Sequence, residues 1–573
     1  MKFIAIKYKN NIIDFFRISF LVLFSFLVCY HYGFNGIVPL DDFVNFNSGY
    51  RILKGDLPFR DYYEVTGPVL SIFQSVLFYL FGVSWKTFVL HSSLINSFSS
   101  LIIYLFFLNQ TRNKNLSLLI AISFSILFYP NNGVPGVDHH AWSFAIVSLL
   151  FFNMGLEKKN FLYIFISILT FFLSFLTKQV PALYILLIII MLYFIEIIDE
   201  KKIIYFFKII LSILVLFISL IFFFKKNEIN LDLFFEQYFL MLFNFGTERI
   251  SKINIYLIKE SLSKIYFSIF LIIPTLIIFY KKKELRLYEK KIFLIIFLLI
   301  STALFYEIHT NNQAMTFALT PVICGFLYEI QKNNNKDKVL KYIYIILILL
   351  CCLKIIQFQF TLIFILLPFF SICIFYIKKY KRINININFL LIVYIFLTSF
   401  YYYVHNVHQR MYKDIVSENN LISFDGSKIN KSFENLNWKM NSKDSVVNFI
   451  DDKKSTINLL NQIKKNYIII SDYQIYNLIL NKKDYSPVKY WATEISYPSK
   501  HNKLRKKFEK YFLEKIIKNK IEYIILDKNT SLFKENLLDY NFLSKCLEKK
   551  IVNENLRLEI FKFKFNCFQK LDY

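Results

Sequence analysis

Glycine and proline are scarce, 12 and 11 residues in a chain of 573. The polar C-terminal part holds no Gly-rich phosphate loop and no nucleophile elbow, which removes two common signatures of nucleotide binding and hydrolysis. Cysteine is sparse too: the seven cysteines show neither CxxC spacing nor a zinc pattern. Cys29, Cys324, Cys351, Cys352 and Cys373 lie in or beside apolar segments and read as packing residues. Cys546 and Cys567 lie in the polar tail, where they can pair if that tail is exported. No small-residue cleavage site follows the first apolar segment, so it reads as a retained helix and not as a signal peptide. The internal repeat that many transporters carry is also missing.

What is abundant is apolar surface. Hydrophobic residues make up 56% of the chain and the mean hydropathy is +0.43, more than one soluble core can bury. Phe (67) and Tyr (39) are frequent beside Ile, Asn and Lys, a bias that also fits an AT-rich genome, so the aromatics are not read as a stacking platform. A formal charge of +27 raises the question of nucleic acid. Much of the Lys and Arg, however, sits in short loops between apolar segments, as cytoplasmic loops require. No nucleic-acid partner is expected.

A bilayer core takes about 20 apolar helical residues, or somewhat fewer with flanking adaptation. Spans are predicted near 18–38, 88–108, 116–130, 142–156, 161–177, 181–198, 203–224, 263–280, 291–306, 314–330, 339–356, 359–377 and 388–404. A further apolar stretch, 68–82, would reach only about 22 Å against a core of ~30 Å. Charge decides its place. Lys2, Lys7, Lys9 and Arg17 put the N-terminus in the cytoplasm, and every later basic loop falls inside if 68–82 does not span. The predicted fold is therefore an α-helical polytopic membrane protein with about 13 transmembrane helices over residues 1–404. A small α/β extracytoplasmic domain over 405–573 follows, with strands expected at Tyr467–Ser471, Ile521–Leu526 and Leu556–Phe565 and a charged helix at Lys503–Lys520. On this topology the chemically rich loops, 39–87, 131–141, 178–180, 225–262 and 307–313, are all outside.

The first outer loop opens Leu40-Asp41-Asp42-Phe43. Phe43, Phe46, Tyr50 and Leu53 recur at helical spacing, which predicts a short helix along the membrane surface, closed by Gly55. Two readings of Asp41 and Asp42 stand. An Asp at a helix N-terminus is a common cap. Two adjacent carboxylates at a water–lipid boundary also suit a reactive site, one capping while the other faces substrate.

Downstream, Arg60-Asp61 and then Gly67-Pro68 lead into the apolar segment. An acidic pair after the first helix, an amphipathic helix ending in Gly, a turn with Arg-Asp and a Gly-Pro opening together resemble the GT-C membrane glycosyltransferases. Within that superfamily the chain is most similar to glycosyltransferase family 39, which includes protein mannosyltransferases and the lipid A aminoarabinose transferase. The strongest stretch is 41–82, and the tail resembles those of uncharacterised bacterial members.

The resemblance implies transfer of a sugar, with inversion, from a polyprenyl-phosphate donor to an extracytoplasmic glycan, lipid or protein acceptor, in a bacterial plasma membrane. The base implied is Asp41, with Asp42 beside it. Asp138, in Asn131-Asn132-Gly133-Val134-Pro135-Gly136-Val137-Asp138-His139-His140, matches a second functional Asp. His139 and His140 can bind substrate, join Asp138 around a divalent metal, or cap the span that follows; a catalytic metal is not favoured. Thr177-Lys178 matches a Thr-Lys pair whose Lys would stabilise the departing phosphate, although a helix-end Lys can equally snorkel. Arg249 is a second phosphate candidate and Glu64 a further substrate-binding candidate. Where the aminoarabinose transferases carry a Lys before the Pro, Val65, Thr66 and Gly67 stand here, so a different donor or acceptor is implied. The competing readings are a lipid-linked glycan flippase and an O-antigen polymerase or ligase. The first needs intramembrane charges, which here are few and near helix ends, and two related halves; the second needs an Arg-rich outer loop; neither the halves nor that loop is evident.

Overall fold

The computed structural model describes residues 12–130, 132–196, 202–243, 422–440, 443–493, 495–528, 540–553 and 558–564. The spans expected between 263 and 404, together with Arg249 and Cys567, lie outside the described residues.

The membrane part runs as α1 (Ile12–Gly33), α2 (Pro39–Leu53), α3 (Val69–Phe81), α4 (Trp85–Thr111), α5 (Lys114–Leu127), α6 (Val137–Lys158), α7 (Phe161–Phe175), α8 (Gln179–Glu196), α9 (Lys202–Lys226) and α10 (Leu231–Phe235), the last continuing into a π-helical turn. Among the described residues three helices are long and apolar enough to cross a membrane, Asp14–Gly33, Trp85–Thr111 and Phe206–Lys226. Each expected span up to residue 224 falls on a helix, and 68–82 falls on the short α3. The first ends sooner than expected. Beyond Gly33 the chain turns extended, because Gly36 N–H donates to Asn437 O (2.9 Å) and Ile37 is buried with tail residues.

Polar side chains pin the bundle from within. Asn96 of α4 donates to Ser25 O of α1 and Ser125 O of α5, and Ser99 meets Ser143 of α6 at 2.6 Å. Small hydroxyl residues let helix backbones approach where lipid gives no hydrophobic drive to associate. By contrast, α9 exposes Phe207, Phe217 and Phe222. A helix that is apolar and uncovered suits hydrocarbon, not water.

In the tail, β1 (Ile422–Asp425) and β2 (Asn437–Met440) form an antiparallel pair. There follow α11 (Lys443–Gln462), β3 (Tyr467–Ile470), α12 (Tyr476–Ile479), α13 (Arg505–Lys518), β4 (Tyr523–Asp527), α14 (Asn541–Cys546), β5 (Leu547–Asn553) and β6 (Leu558–Phe563). The sheet order is β3-β4-β6-β5, with β3 and β4 parallel and β6 antiparallel to both its neighbours. The expected strands and charged helix thus occur. α13 covers the sheet with Phe508, Phe512 and Ile516. Cys546 is disulfide-bonded; its expected partner, Cys567, is not among the described residues.

The helix expected on the membrane surface is α2, but its apolar face is turned onto protein. Phe43 packs against Trp85, Phe433 and Trp438, and Phe46 against Phe78, Phe88 and Phe433. Helical periodicity identifies the buried stripe without saying what buries it. Helices α3 and α4 do so together with the tail, which is far away in sequence.

Candidate functional site

The first turn of α2 separates the two aspartates. Pro39 sits in that turn, where its missing N–H costs nothing. Asp42 reaches back, and its Oδ2 accepts from Val38 N–H at 2.7 Å; the side chain is 2% exposed. Asp42 is a cap. Asp41 is exposed. One helical turn on, and therefore on the same face, Asn45 donates to Pro135 O at 3.2 Å. That bond directs the Asp41 face toward the loop that leads into α6.

In that loop Gly133 adopts φ 74°, a left-handed conformation that favours glycine, and its carbonyl accepts from Ser92 of α4 at 2.8 Å. The chain then enters α6 with Asp138 in its first turn, where a carboxylate is favoured by the helix dipole. Lys178 Nζ donates to Asp138 Oδ1 at 2.6 Å, both side chains partly exposed. The structure thus joins two residues singled out separately. The two histidines diverge. His139 packs its ring on Phe128 and Tyr129. His140 is buried, is hydrogen-bonded through Nδ1 to Tyr129 OH, and meets His91 Nε2 through its own Nε2 at 2.9 Å; His91 Nδ1 in turn meets Gln74 Oε1 at 2.8 Å. This histidine–histidine–glutamine chain lies under the loop. No sequence pattern links positions 74, 91 and 140.

Lys178 follows α7, and its corner is stitched to the segment between α2 and α3. Gly67 N–H donates to Thr177 O (3.0 Å) and Val69 N–H to Leu176 O (3.3 Å), while Gln179 Nε2 donates to Val65 O at 2.9 Å. The approach explains the glycine: a Cβ at position 67 would lie 1.7 Å from Leu176 O. Gly67→Ala is expected to part the two backbones and destabilise by about 1–3 kcal/mol, readable as a lowered thermal unfolding midpoint in detergent. An unchanged midpoint would mean the approach is not this close.

The tail closes over the other side of the loop. Arg51, 2% exposed, pairs with Asp56 at 3.3 Å and donates to Ser486 O (2.8 Å) and Val488 O (3.1 Å). Burial alone would lower its pKa, but Asp484 and Asp56 outweigh that and hold it above the usual value. Lys483 reaches Asp56 from the tail at 2.9 Å. Asn47 donates to Asp484 at 2.8 Å and to Gln474 at 3.3 Å. Arg51→Met leaves Asp56 to Lys483 alone and two carbonyls without their donor, and is expected to cost about 1–3 kcal/mol, seen as tail unfolding at lower denaturant. Equal stability would remove Arg51 from the seam.

Glu64 is 1% exposed. Its Oε1 accepts from Thr66 N–H (2.9 Å), Thr66 OH (2.5 Å) and Lys489 Nζ (3.3 Å), and the Lys489 ammonium lies 3.1 Å from Oε2 as an ion pair. Burial pushes its pKa up while Lys489 and Thr66 pull it back. Burial likewise lowers the Lys515 ammonium to about 8 against the attraction of Asp61.

The described positions group clearly. Asp138 and Lys178 touch, Glu64–Gly67 borders Lys178 through backbone bonds, and Asp41 is tied to the second loop through Asn45. Among the described residues no group of three or more His, Cys, Asp or Glu is arranged to hold a metal. Arg51, Lys489, Asn47 and His91 were not anticipated. A sequence signal existed for Lys489, a lone charge in the otherwise apolar or hydroxyl-bearing run Tyr485–Ala492. Compared with known proteins, the chain matches no family model and no curated protein.

Proposed function

We propose that this chain is a membrane glycosyltransferase of GT-C type, with about 13 spans, that moves a sugar from a polyprenyl-phosphate donor to an extracytoplasmic acceptor. The observation that carries the reading is the Asp138–Lys178 ion pair (2.6 Å), held at helix ends, with Asp41 exposed in the first turn of α2 and that helix tied through Asn45 to the loop that precedes Asp138. Carboxylates and a cation at the mouth of an apolar bundle suit a substrate whose tail is hydrocarbon and whose head is charged. The Cys546 disulfide supports an extracytoplasmic tail, since such bonds persist in oxidising compartments.

In this mechanism Asp41 takes the proton from an acceptor hydroxyl as its oxygen attacks the anomeric carbon. The new C–O bond forms as the bond to the phosphate oxygen breaks on the opposite face, which inverts the centre. The phosphate leaves with the bonding electron pair, and Lys178 stabilises the added charge. Lys178 is neutralised by Asp138 in the structure described, so an incoming phosphate competes with Asp138 for it.

The test uses the purified chain in lipid nanodiscs with radiolabelled polyprenyl-phosphate sugars and cell-envelope glycan, lipid and protein fractions as acceptors. Label moving from lipid to an acceptor is expected. Movement of intact lipid-linked sugar across vesicles, without transfer, would favour a flippase instead.

A further inference from the structure

Lys489 is 4% exposed, on the tail segment that runs beside the segment between α2 and α3. Tyr63 N–H donates to Pro487 O (2.7 Å) and Lys489 N–H to Tyr63 O (3.1 Å), so the two segments are joined as a parallel bridge. From there the Lys489 ammonium reaches Glu64 at 3.1 Å and Thr66 Oγ1 at 2.9 Å. The Thr66 hydroxyl donates to the same carboxylate, so Glu64, Thr66 and Lys489 form one closed set. The next residues are Gly67 and Val69, whose N–H groups hold Thr177 O and Leu176 O. Gln179, on the far side of Lys178, holds Val65 O and Tyr238 O. Every link from the tail to the Lys178 corner is a hydrogen bond or ion pair of buried or partly buried groups.

We propose that Lys489 is a positioning residue for Lys178. By fixing Glu64 and Thr66 it fixes the segment 63–67, and that segment fixes the Thr177–Gln179 corner from which Lys178 meets Asp138. The C-terminal domain is then a structural part of the site and not an appended module. The inference deepens the transferase reading and rests on it only for the use made of Lys178; the positional coupling stands without it.

Three observations favour this arrangement over a seam that only glues two domains. The closed set lies on the same segment as Gly67, whose backbone abuts Leu176 and Thr177 too closely for any side chain. Gln237 of the turn after α10 also grips the segment, accepting from Glu64 N–H at 2.9 Å, so its path is held from both sides. The glue is supplied elsewhere: Arg51 with Ser486 O and Val488 O, Lys483 with Asp56 at 2.9 Å, and Lys507 with Glu236 at 3.3 Å join tail and membrane part without touching residues 64–67.

The experiment is hydrogen–deuterium exchange on the full-length chain in nanodiscs, paired with transfer kinetics. Lys489→Met is expected to speed exchange about 10-fold in peptides covering 64–69 and 174–180, while α13 and β4 keep their protection. Transfer should show a raised KM for the polyprenyl-phosphate sugar, and Lys489→Arg should restore most of both. Because a single change leaves a buried carboxylate unpaired, Glu64→Gln/Lys489→Met serves as the variant that removes both charges. It should keep the tail intact and still loosen 174–180. Faster exchange confined to the tail, or uniform across the chain, overturns the proposal, as does unchanged exchange at 174–180. If the unmodified chain transfers no sugar, the transferase reading fails, and the exchange data still decide the coupling.

Discussion

Asp41→Asn is expected to lower the rate of sugar transfer by about 10²–10⁴-fold while leaving donor binding nearly unchanged. Asn keeps the shape of the side chain and removes only its capacity to accept a proton. The neighbouring carboxylate supplies the control. Asp42 is buried and spent on Val38 N–H, so Asp42→Ala should act through the cap, costing about 0.5–2 kcal/mol of stability with a modest loss of rate. Single-turnover measurements with the two variants separate the roles. A rate loss that follows Asp42 and spares Asp41 would move the base by one residue and contradict the geometry of the first turn.

Lys178→Met is expected to lower transfer by about 10²–10³-fold, the usual cost of removing a preorganised group from developing charge. Lys178→Arg should recover part of it, because the charge returns with a different shape. The ion pair adds a sharper expectation. Asp138 and the donor phosphate compete for the same ammonium, so Asp138→Asn should strengthen donor binding even where it slows turnover. Isothermal titration with a short-chain polyprenyl phosphate reads this directly. If Asp138→Asn and Lys178→Met weaken binding alike, the two act as a single structural unit and not as competitors.

Local patterns were legible in the sequence, and long-range partners were not. Hydrophobic runs located the helices up to residue 226, and alternation or apolar runs located β3, β4 and β6. The spacing of Phe43, Phe46 and Tyr50 identified the buried stripe of α2. Part of its cover, Phe433 and Trp438, lies far along the chain, and periodicity carries no information about such a partner. The site divides in the same way. Asp41, Asp42, Asp138 and Lys178 were each visible as a charge at a helix end. That Asp42 caps and that Asp138 meets Lys178 are facts of tertiary geometry. Glu64 shows the limit most clearly. In the sequence it is one more outer-loop carboxylate open to substrate, whereas in the structure Lys489 and Thr66 enclose it. The Gly67 requirement was likewise hidden, because what forbids a side chain there is the backbone of residues 176 and 177.

The account turns on which side of the membrane the first turn of α2 faces. Asp41 is exposed, so a cysteine at that position is open to reagent, and intact cells carrying Asp41→Cys can be treated with a membrane-impermeant maleimide and compared with the parent chain. Labelling of the variant without permeabilisation is the predicted result. Labelling only after the membrane is opened would put the carboxylates on the cytoplasmic side, away from any extracytoplasmic acceptor, and the proposed chemistry could not occur.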